Sequence, residues 1–409
     1  MTLALDPDDL AKCVACGLCL PHCPTFRVTG DESASPRGRI AAMRLVESGT
    51  PVTAEFVGFM DLCVQCRGCE AACPSAVPFG RLMEQTRHAL TGLDAMPPGD
   101  DGGGRRWRGR YQPWGRRAGY AVLGHPRALR TLSVAVALAQ RLRLVPKRLG
   151  LPRIGFIRTP LEPTGSDLWL FTGCVMDAWM RPVHAATKRV IEATDAGVTP
   201  SPRAAACCGA LAAHAGLVDL ARSQAAAVVA AMPGSSPVVV DSAGCGAYMK
   251  DYGRLLGPAG DAFGARVVDV HEWLVSRVAV HPLPTVGHRL DVRVAVQDPC
   301  HLRHVQKAHG AVREALEPYV SQLVETADDG LCCGAGGSYA VWQPDMATAI
   351  RDRKLAALAE VHPDVVVSAN PGCAMHLGAA GLPVRHPMEV LDEALRRDGA
   401  YERKDRAGG

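Results

Sequence analysis

The chain is 409 residues long, enough for two to three domains, and its 48% hydrophobic content is that of an ordinary folded globular protein. Sixteen cysteines are too few for a small disulfide-stapled scaffold, and a net charge of +4 carries little meaning alone; nucleic acid is not expected as a partner. The longest apolar stretch, Val134 to Ala139, falls far short of the ~20 residues a membrane-spanning helix needs, so any membrane contact is expected to be peripheral.

The N-terminal MTLALDPDDLAKC has no basic n-region, apolar h-region or cleavage site. No secretory signal is read there, which implies a cytoplasmic location with reduced thiols, or a peripheral one on the inner face of the cell membrane. Two copies of one cysteine run follow: Cys13-x2-Cys16-x2-Cys19-x3-Cys23-Pro24 and Cys63-x2-Cys66-x2-Cys69-x3-Cys73-Pro74. Three thiolates at spacings of three wrap one corner of a cubane, and in two-cluster ferredoxins the fourth cysteine of each run serves the other cluster. This assigns Cys13, Cys16, Cys19 and Cys73 to one [4Fe–4S] cluster and Cys63, Cys66, Cys69 and Cys23 to a second. Zinc, held by two cysteine pairs, is the competing reading and suits this spacing less well. Between and after the runs, Arg37–Glu47, a segment capped by Thr53 and ending at Leu62, and Gly80–Leu90 read as helices. Residues 1–95 are thus expected to form a helical two-cluster ferredoxin domain.

From Pro97 to Pro160 there are fourteen Lys/Arg and two acids. Residues 96–164 read as a basic Pro/Gly-rich linker that passes into an amphipathic helix over Arg127–Arg143. Such a helix is able to lie on anionic lipid or an acidic partner, or simply to pack with a solvated basic face.

The remainder is an internal repeat. Cys174, Cys207-Cys208-Gly209 and Cys245 recur as Cys300, Cys332-Cys333-Gly334 and Cys373, between 125 and 128 residues later. In each copy an apolar run ends near the first cysteine (DLWLF, VRVAV). A long helix follows the CCG (Leu217–Met232, Asp345–Val361), and a second apolar run leads to the last cysteine (PVVVD, DVVV). Strands alternating with helices predict parallel α/β modules, with the cysteines gathered at the carboxyl ends of the strands. The modules are expected at 165–285 and 286–400, giving an α+β multi-domain chain: a helical two-cluster ferredoxin domain followed by two repeated α/β CCG modules. Cys174, Cys207, Cys208 and Cys245 form a candidate third metal site, and Cys300, Cys332, Cys333 and Cys373 a fourth. Each suits an iron–sulfur cluster or zinc.

CCG repeated twice behind such a domain resembles the cysteine-rich electron-transfer family. That family includes iron–sulfur subunits of glycolate oxidase, the third subunit of anaerobic glycerol-3-phosphate dehydrogenase, lactate-utilisation proteins and heterodisulfide reductase subunits. Cys23-Pro-Thr-Phe26, Pro36-Arg-Gly-Arg-Ile40, Cys63-Val-Gln-Cys-Arg-Gly-Cys-Glu70, Pro299-Cys-His-Leu302 and Ala369-Asn-Pro-Gly-Cys373 are most similar to the glycolate oxidase type. The resemblance implies an electron-transfer subunit without substrate catalysis or catalytic residues of its own. It would pass electrons from an FAD-containing 2-hydroxy-acid oxidase subunit to a quinone or similar acceptor. The equivalent subunit of a lactate or glycerol-3-phosphate dehydrogenase is the alternative within this class. A disulfide reductase is a different one, but Ser242 and Asn370 stand where that pattern has a fifth cysteine. A zinc-stabilised interaction protein is a third. Gly334-Ala-Gly-Gly337 is expected to bring backbone close to a cluster, with N–H groups aimed at sulfur. Arg37, Arg39 and Arg67 are expected to offset cluster charge or bind the flavin partner. Of the histidines, His301 is the first candidate for ligation or proton transfer; the same is open to His271 and His386, and the alternative for each is a hydrogen-bonded role at a strand end.

Overall fold

The computed structural model describes residues 2–93, 110–145, 151–156, 159–328 and 330–407, with side chains to 403. The Pro/Gly-rich start of the expected linker, up to residue 109, lies outside the described residues. The chain divides into two compact units, Met1–Ala121 with Gly209–Ala221 and Leu331–Lys354, and Val122–Cys208 with Arg222–Gly330 and Leu355–Gly409.

The first unit is helical, and local capping accounts for two of its helices. Ser35 and Thr53 accept from the backbone N–H of Gly38 and Phe56 (3.0 and 3.1 Å), so helices Pro36–Glu47 and Ala54–Asp61 begin where these hydroxyls satisfy orphan donors. With Phe79–Thr91 they enclose a core of Met43, Met60, Leu82, Met83 and Leu90. The buried Arg87 fixes the approach to the second cysteine run, its guanidinium donating to the carbonyls of Met60, Cys63 and His214, each at 2.8 Å.

The second unit holds two four-stranded parallel sheets. The first contains β1 (Leu168–Phe171), β2 (Val198–Pro200), β3 (Val238–Val240) and β4 (Val267–Asp269), in the order β2-β1-β3-β4. The second contains β5 (Leu290–Val296), β6 (Val320–Val324), β7 (Val365–Val367) and β8 (Val384–Arg385), in the order β6-β5-β7-β8. Leu170 pairs with Val239 and Ala295 with Val366, and the central strands are valine-rich and buried as parallel strands require. In each sheet the chain reverses direction of travel between the two central strands, the topological switch point where α/β sheets open a crevice. Cys174 and Cys245 follow β1 and β3; Cys300 and Cys373 follow β5 and β7. The four strands β2, β4, β6 and β8 carry no signal in the sequence, being two to five residues long and all at sheet edges.

The two modules share one apolar core that runs from Leu168 and Leu170 through Val294 and Val296 to Leu391 and Leu395. Arg189 clamps Asp392 with two 2.8 Å bonds across the helices Arg181–Glu192 and Pro387–Arg397, and Ala243 N–H donates to Ala369 O at 3.0 Å. His271 and His386 occupy equivalent places in the two repeats and stack on each other, ring centroids 5.6 Å apart. His386 Nδ1 accepts from Met388 N–H and its Nε2 donates to Asp241 O, a neutral imidazole capping the helix Pro387–Arg397. Burial, reinforced by His271, lowers its pKa to about 4. Both histidines order strand ends.

Candidate metal centres

Among the described residues no three His, Cys, Asp or Glu side chains are arranged to hold a single metal ion. The thiols of the first unit instead ring two larger cavities. One is lined by Cys13, Cys16, Cys19 and Cys73, with Cys69 also reaching it. The other is lined by Cys23, Cys63, Cys66 and Cys69. Three thiols of each run therefore share a cavity with the fourth thiol of the other run.

The loops reach this arrangement through a repeated backbone signature. Ala15 and Gly17 have φ of +57° and +88°, and the matching Gln65 and Arg67 have +58° and +60°. Left-handed backbone at non-glycine residues costs about 1–3 kcal/mol each, and it persists here on both sides of each central cysteine. It curls each loop into a concave nest whose N–H groups point inward. Backbone N–H groups of Gln65 and Gly68 accordingly donate to the sulfurs of Cys63 and Cys66.

The thiols press on one another electrostatically. Burial pushes Cys69 well above its ordinary value, and Cys66, Cys63 and Cys23 push it further. Burial likewise raises Cys63, against the pull of Arg39 and Arg87. Four thiols so placed ionise together only when cations are set among them, which is the chemistry of a thiolate-bound cluster. Of the expected basic residues, Arg39 is buried at the second cavity, donating to Phe59 O (2.8 Å) and Thr25 Oγ1 (3.2 and 3.3 Å), with Nη1 4.0 Å from Cys23 Sγ. Arg37 lines the first cavity, donating to Ala15 O and pairing with Glu32, while Arg67 at the second pairs with Glu70.

In the second unit, Cys174, Cys207, Cys208 and Cys245 come together. Cys207 shares thiol hydrogen bonds with Cys174 and Cys208, and Cys208 also bonds Cys245; these bonds and burial push Cys174 and Cys208 well up. The buried Tyr252 donates to Cys208 O at 2.7 Å and fixes the vicinal pair from behind. The second repeat divides differently. Cys300 and Cys373 belong to the second unit and Cys332 and Cys333 to the first. There Cys332 makes a thiol hydrogen bond to Cys66, which lowers the Cys66 pKa. Gly334 N–H donates to Cys332 Sγ at 3.3 Å, the sulfur-directed N–H expected of this loop. Asn370, at one of the positions without a fifth cysteine, donates from Nδ2 to Cys373 Sγ at 3.4 Å and accepts from Gly244 N–H at 3.1 Å. His301 opens a π-helical turn, His301–Gln306, directly after Cys300.

Three features escape the sequence pattern: the thiol link between Cys66 and Cys332, a buried His184–Asp241 pair (2.7 Å), and a cavity of about 480 Å³ that reaches Cys174. Each joins residues distant in sequence by contacts that no local spacing announces.

Comparison with known proteins agrees with this layout. Residues 9–77 match the 4Fe-4S dicluster domain, and residues 168–250 and 294–378 each match the cysteine-rich domain. The eight cysteines of the dicluster domain indicate two [4Fe–4S] clusters. The chain is 31% identical to the glycolate oxidase iron-sulfur subunit of Escherichia coli (strain K12), over 97% of both chains. It is 30% identical to a probable glycolate oxidase iron-sulfur subunit of Bacillus subtilis (strain 168), over 91% of this chain and 89% of the other. Lactate utilization protein A of Geobacillus kaustophilus is 27% identical over 54% of this chain and 97% of its own.

Proposed function

The chain belongs to the cysteine-rich iron–sulfur electron-transfer family, and we propose that it is the subunit that carries electrons away from a flavin-containing 2-hydroxy-acid oxidase, with glycolate as the substrate of the partner. The pair of cavities, each ringed by three thiols of one run and one of the other, carries the electron-transfer reading. Glycolate rests on similarity over nearly the whole chain to proteins of that name. Lactate is the alternative, because the shorter match is to a lactate utilization protein.

In this reading Cys13, Cys16, Cys19 and Cys73 hold one cluster and Cys63, Cys66, Cys69 and Cys23 hold the other, and each cluster supplies a store for one electron. Cys174, Cys207, Cys208 and Cys245 hold a third centre. The chain's own residues set the energy of that store. N–H groups of Gln65 and Gly68 aimed at sulfur, and the fixed positive charge of Arg39, stabilise added negative charge at the second cluster. Nests around Ala15 and Gln65 hold the thiols in place, so electron gain and loss require little movement.

Anaerobic purification with iron, sulfide and zinc counted per chain, beside the low-temperature paramagnetic resonance spectrum, tests the centres. About eight irons confine clusters to the N-terminal domain, and about twelve add the third. A colourless, zinc-bound protein refutes the reading. Co-purification with the flavin subunit, followed by spectral reduction on adding glycolate or lactate, tests the substrate. Cys13→Ser should then abolish onward electron transfer while the flavin still accepts electrons from substrate.

A further inference from the structure

The cavity of about 480 Å³ lies wholly within the second unit, and four arginines stand on its wall: Arg130, Arg153, Arg181 and Arg203. Two acids share that wall, Asp177, which Arg181 holds in an ion pair, and Glu162. Positive charge therefore exceeds negative by two. Arg130, Arg153 and Arg203 are exposed, and their guanidiniums have no hydrogen-bond or ion-pair partner among the described residues.

Each of the three comes from a separate segment, and each segment is pinned by bonds in which these guanidiniums take no part. Arg130 belongs to the helix Pro126–Arg141, where Ser133 Oγ accepts from Trp179 Nε1 at 2.9 Å. The segment carrying Arg153 is held to the same helix by Gln140, which donates to Pro152 O at 2.9 Å and accepts from Ile154 N–H at 3.0 Å. Ser201 fixes the loop of Arg203: its N–H donates to Leu170 O at 2.8 Å, and its Oγ accepts from Thr172 N–H at 3.1 Å. Like charges brought to one cavity repel, and no contact of the fold offsets that repulsion here; a bound anion does. The helices Pro126–Arg141 and Arg181–Glu192 also begin at this wall without a side-chain cap, which adds to the positive field.

The size is that of a small-molecule pocket, about 300–1,000 Å³. A planar carboxylate is satisfied by one guanidinium fork, whereas three guanidiniums around one space suit a tetrahedral oxyanion. A phosphate monoester carries about −1.5 to −2, which matches the excess charge of the wall. Leu129, Ile154, Phe156 and Trp179 line the remainder. We propose that this cavity is a phosphate-ester site, in which Arg130, Arg153 and Arg203 hold the phosphate and the apolar wall takes its organic group. The site forms without any cluster and stands apart from the electron-carrier reading. A phospholipid headgroup and a free phosphate ester share this chemistry. Leu132 and Leu138, exposed on the same helix, give a headgroup an apolar surface beside the site.

The test is calorimetric titration of the anaerobically purified full chain with dihexanoyl phosphatidate, a soluble phosphate monoester. Saturable binding is expected, with inorganic phosphate as a competitor. Arg130→Gln and Arg203→Gln should each weaken it at least about tenfold. Arg127→Gln, exposed on the same helix but outside the cavity, should change it less than about twofold. Iron content and unfolding midpoint should stay unchanged in all three, because none of these guanidiniums holds the fold. Vesicles of phosphatidylcholine with phosphatidate separate the sources. Release of the chain from them by Arg203→Gln supports the site with a lipid headgroup as occupant. Vesicle binding that ignores Arg203→Gln, beside tight binding of the soluble probe, supports it with a free phosphate ester. Absence of saturable binding, equal losses in Arg127→Gln and Arg203→Gln, or full affinity in both cavity variants overturns the site.

Discussion

Arg39→Met should lower the reduction potential of the cluster proposed at Cys23, Cys63, Cys66 and Cys69 by about 90–180 mV. Arg39 is buried, and its Nη1 lies 4.0 Å from Cys23 Sγ. Two unit charges at 4 Å in an effective dielectric of 20 interact by about 4 kcal/mol, and spreading the electron across a cluster out to about 8 Å halves this to about 2 kcal/mol. At about 59 mV per factor of ten for one electron, that span corresponds to the range given. The sign is fixed, since reduction adds negative charge that the guanidinium stabilises. Arg39→Lys is the necessary control. It keeps the charge and loses the fork that holds Phe59 O and Thr25, so it should shift the potential far less while destabilising the fold comparably. The assay is a redox titration followed by paramagnetic resonance, on protein with a full iron count. A potential for Arg39→Met within about 20 mV of the parent would refute the electrostatic argument.

Gly334 has φ +86°, and a Cβ there would lie 2.5 Å from Ala347 O, so Gly334→Ala should cost about 1–3 kcal/mol in guanidinium unfolding; a loss below about 0.5 kcal/mol counts against it. His184 donates from both ring nitrogens, to Asp241 Oδ2 (2.7 Å) and Thr172 O (2.9 Å), as only the imidazolium can. Burial alone would lower its pKa, but Asp241 outweighs burial and raises it above 6.5, while His184 holds Asp241 below 3.8. The pair's stabilisation is therefore complete between about pH 4 and 6.5, fades as pH rises through the raised histidine value and fades again in acid, so His184→Gln should lose less stability than the parent between pH 6 and 9. An equal loss in both would sink the assignment. Vesicle sedimentation should require anionic lipid and weaken with salt, and replacing Leu132 and Leu138 together by Glu should abolish it. Equal binding to neutral vesicles would show that the helix face serves another purpose.

Local periodicity made part of this molecule legible. The cysteine runs, the capping hydroxyls Ser35 and Thr53 and the valine runs that became β3 and β7 all act within a few residues, and pattern alone located them. The short strands β2 and β8 exist because β1 and β7 offer them an edge to pair with; their own residues show little. Asn370 looked like a lost ligand, whereas its amide supports the neighbouring Cys373 thiol and ties the two modules through Gly244. His184 and Asp241 lie 57 residues apart, and nothing in either neighbourhood marks the other. The cavity at Cys174 needs four separate segments to exist.

The two repeats share topology and cysteine order yet have diverged in what surrounds the thiols. In the first, the switch point between β1 and β3 gathers four hydrogen-bonded thiols, and Cys174 opens onto a large cavity. In the second, the turn His301–Gln306 follows Cys300, and Arg303 and Arg313 both clamp Asp298 at 2.9 Å. Gln306 donates to Ala243 O at 2.9 Å, so this turn is bound to the first module instead of being open to a ligand. Its vicinal pair has taken up another connection, with Cys332 bonded to Cys66 of the ferredoxin run. Duplication supplied two equivalent thiol sets, and what surrounds them now differs: in the first repeat the four thiols bond to one another, and in the second the vicinal pair is bonded to a cysteine of the ferredoxin run.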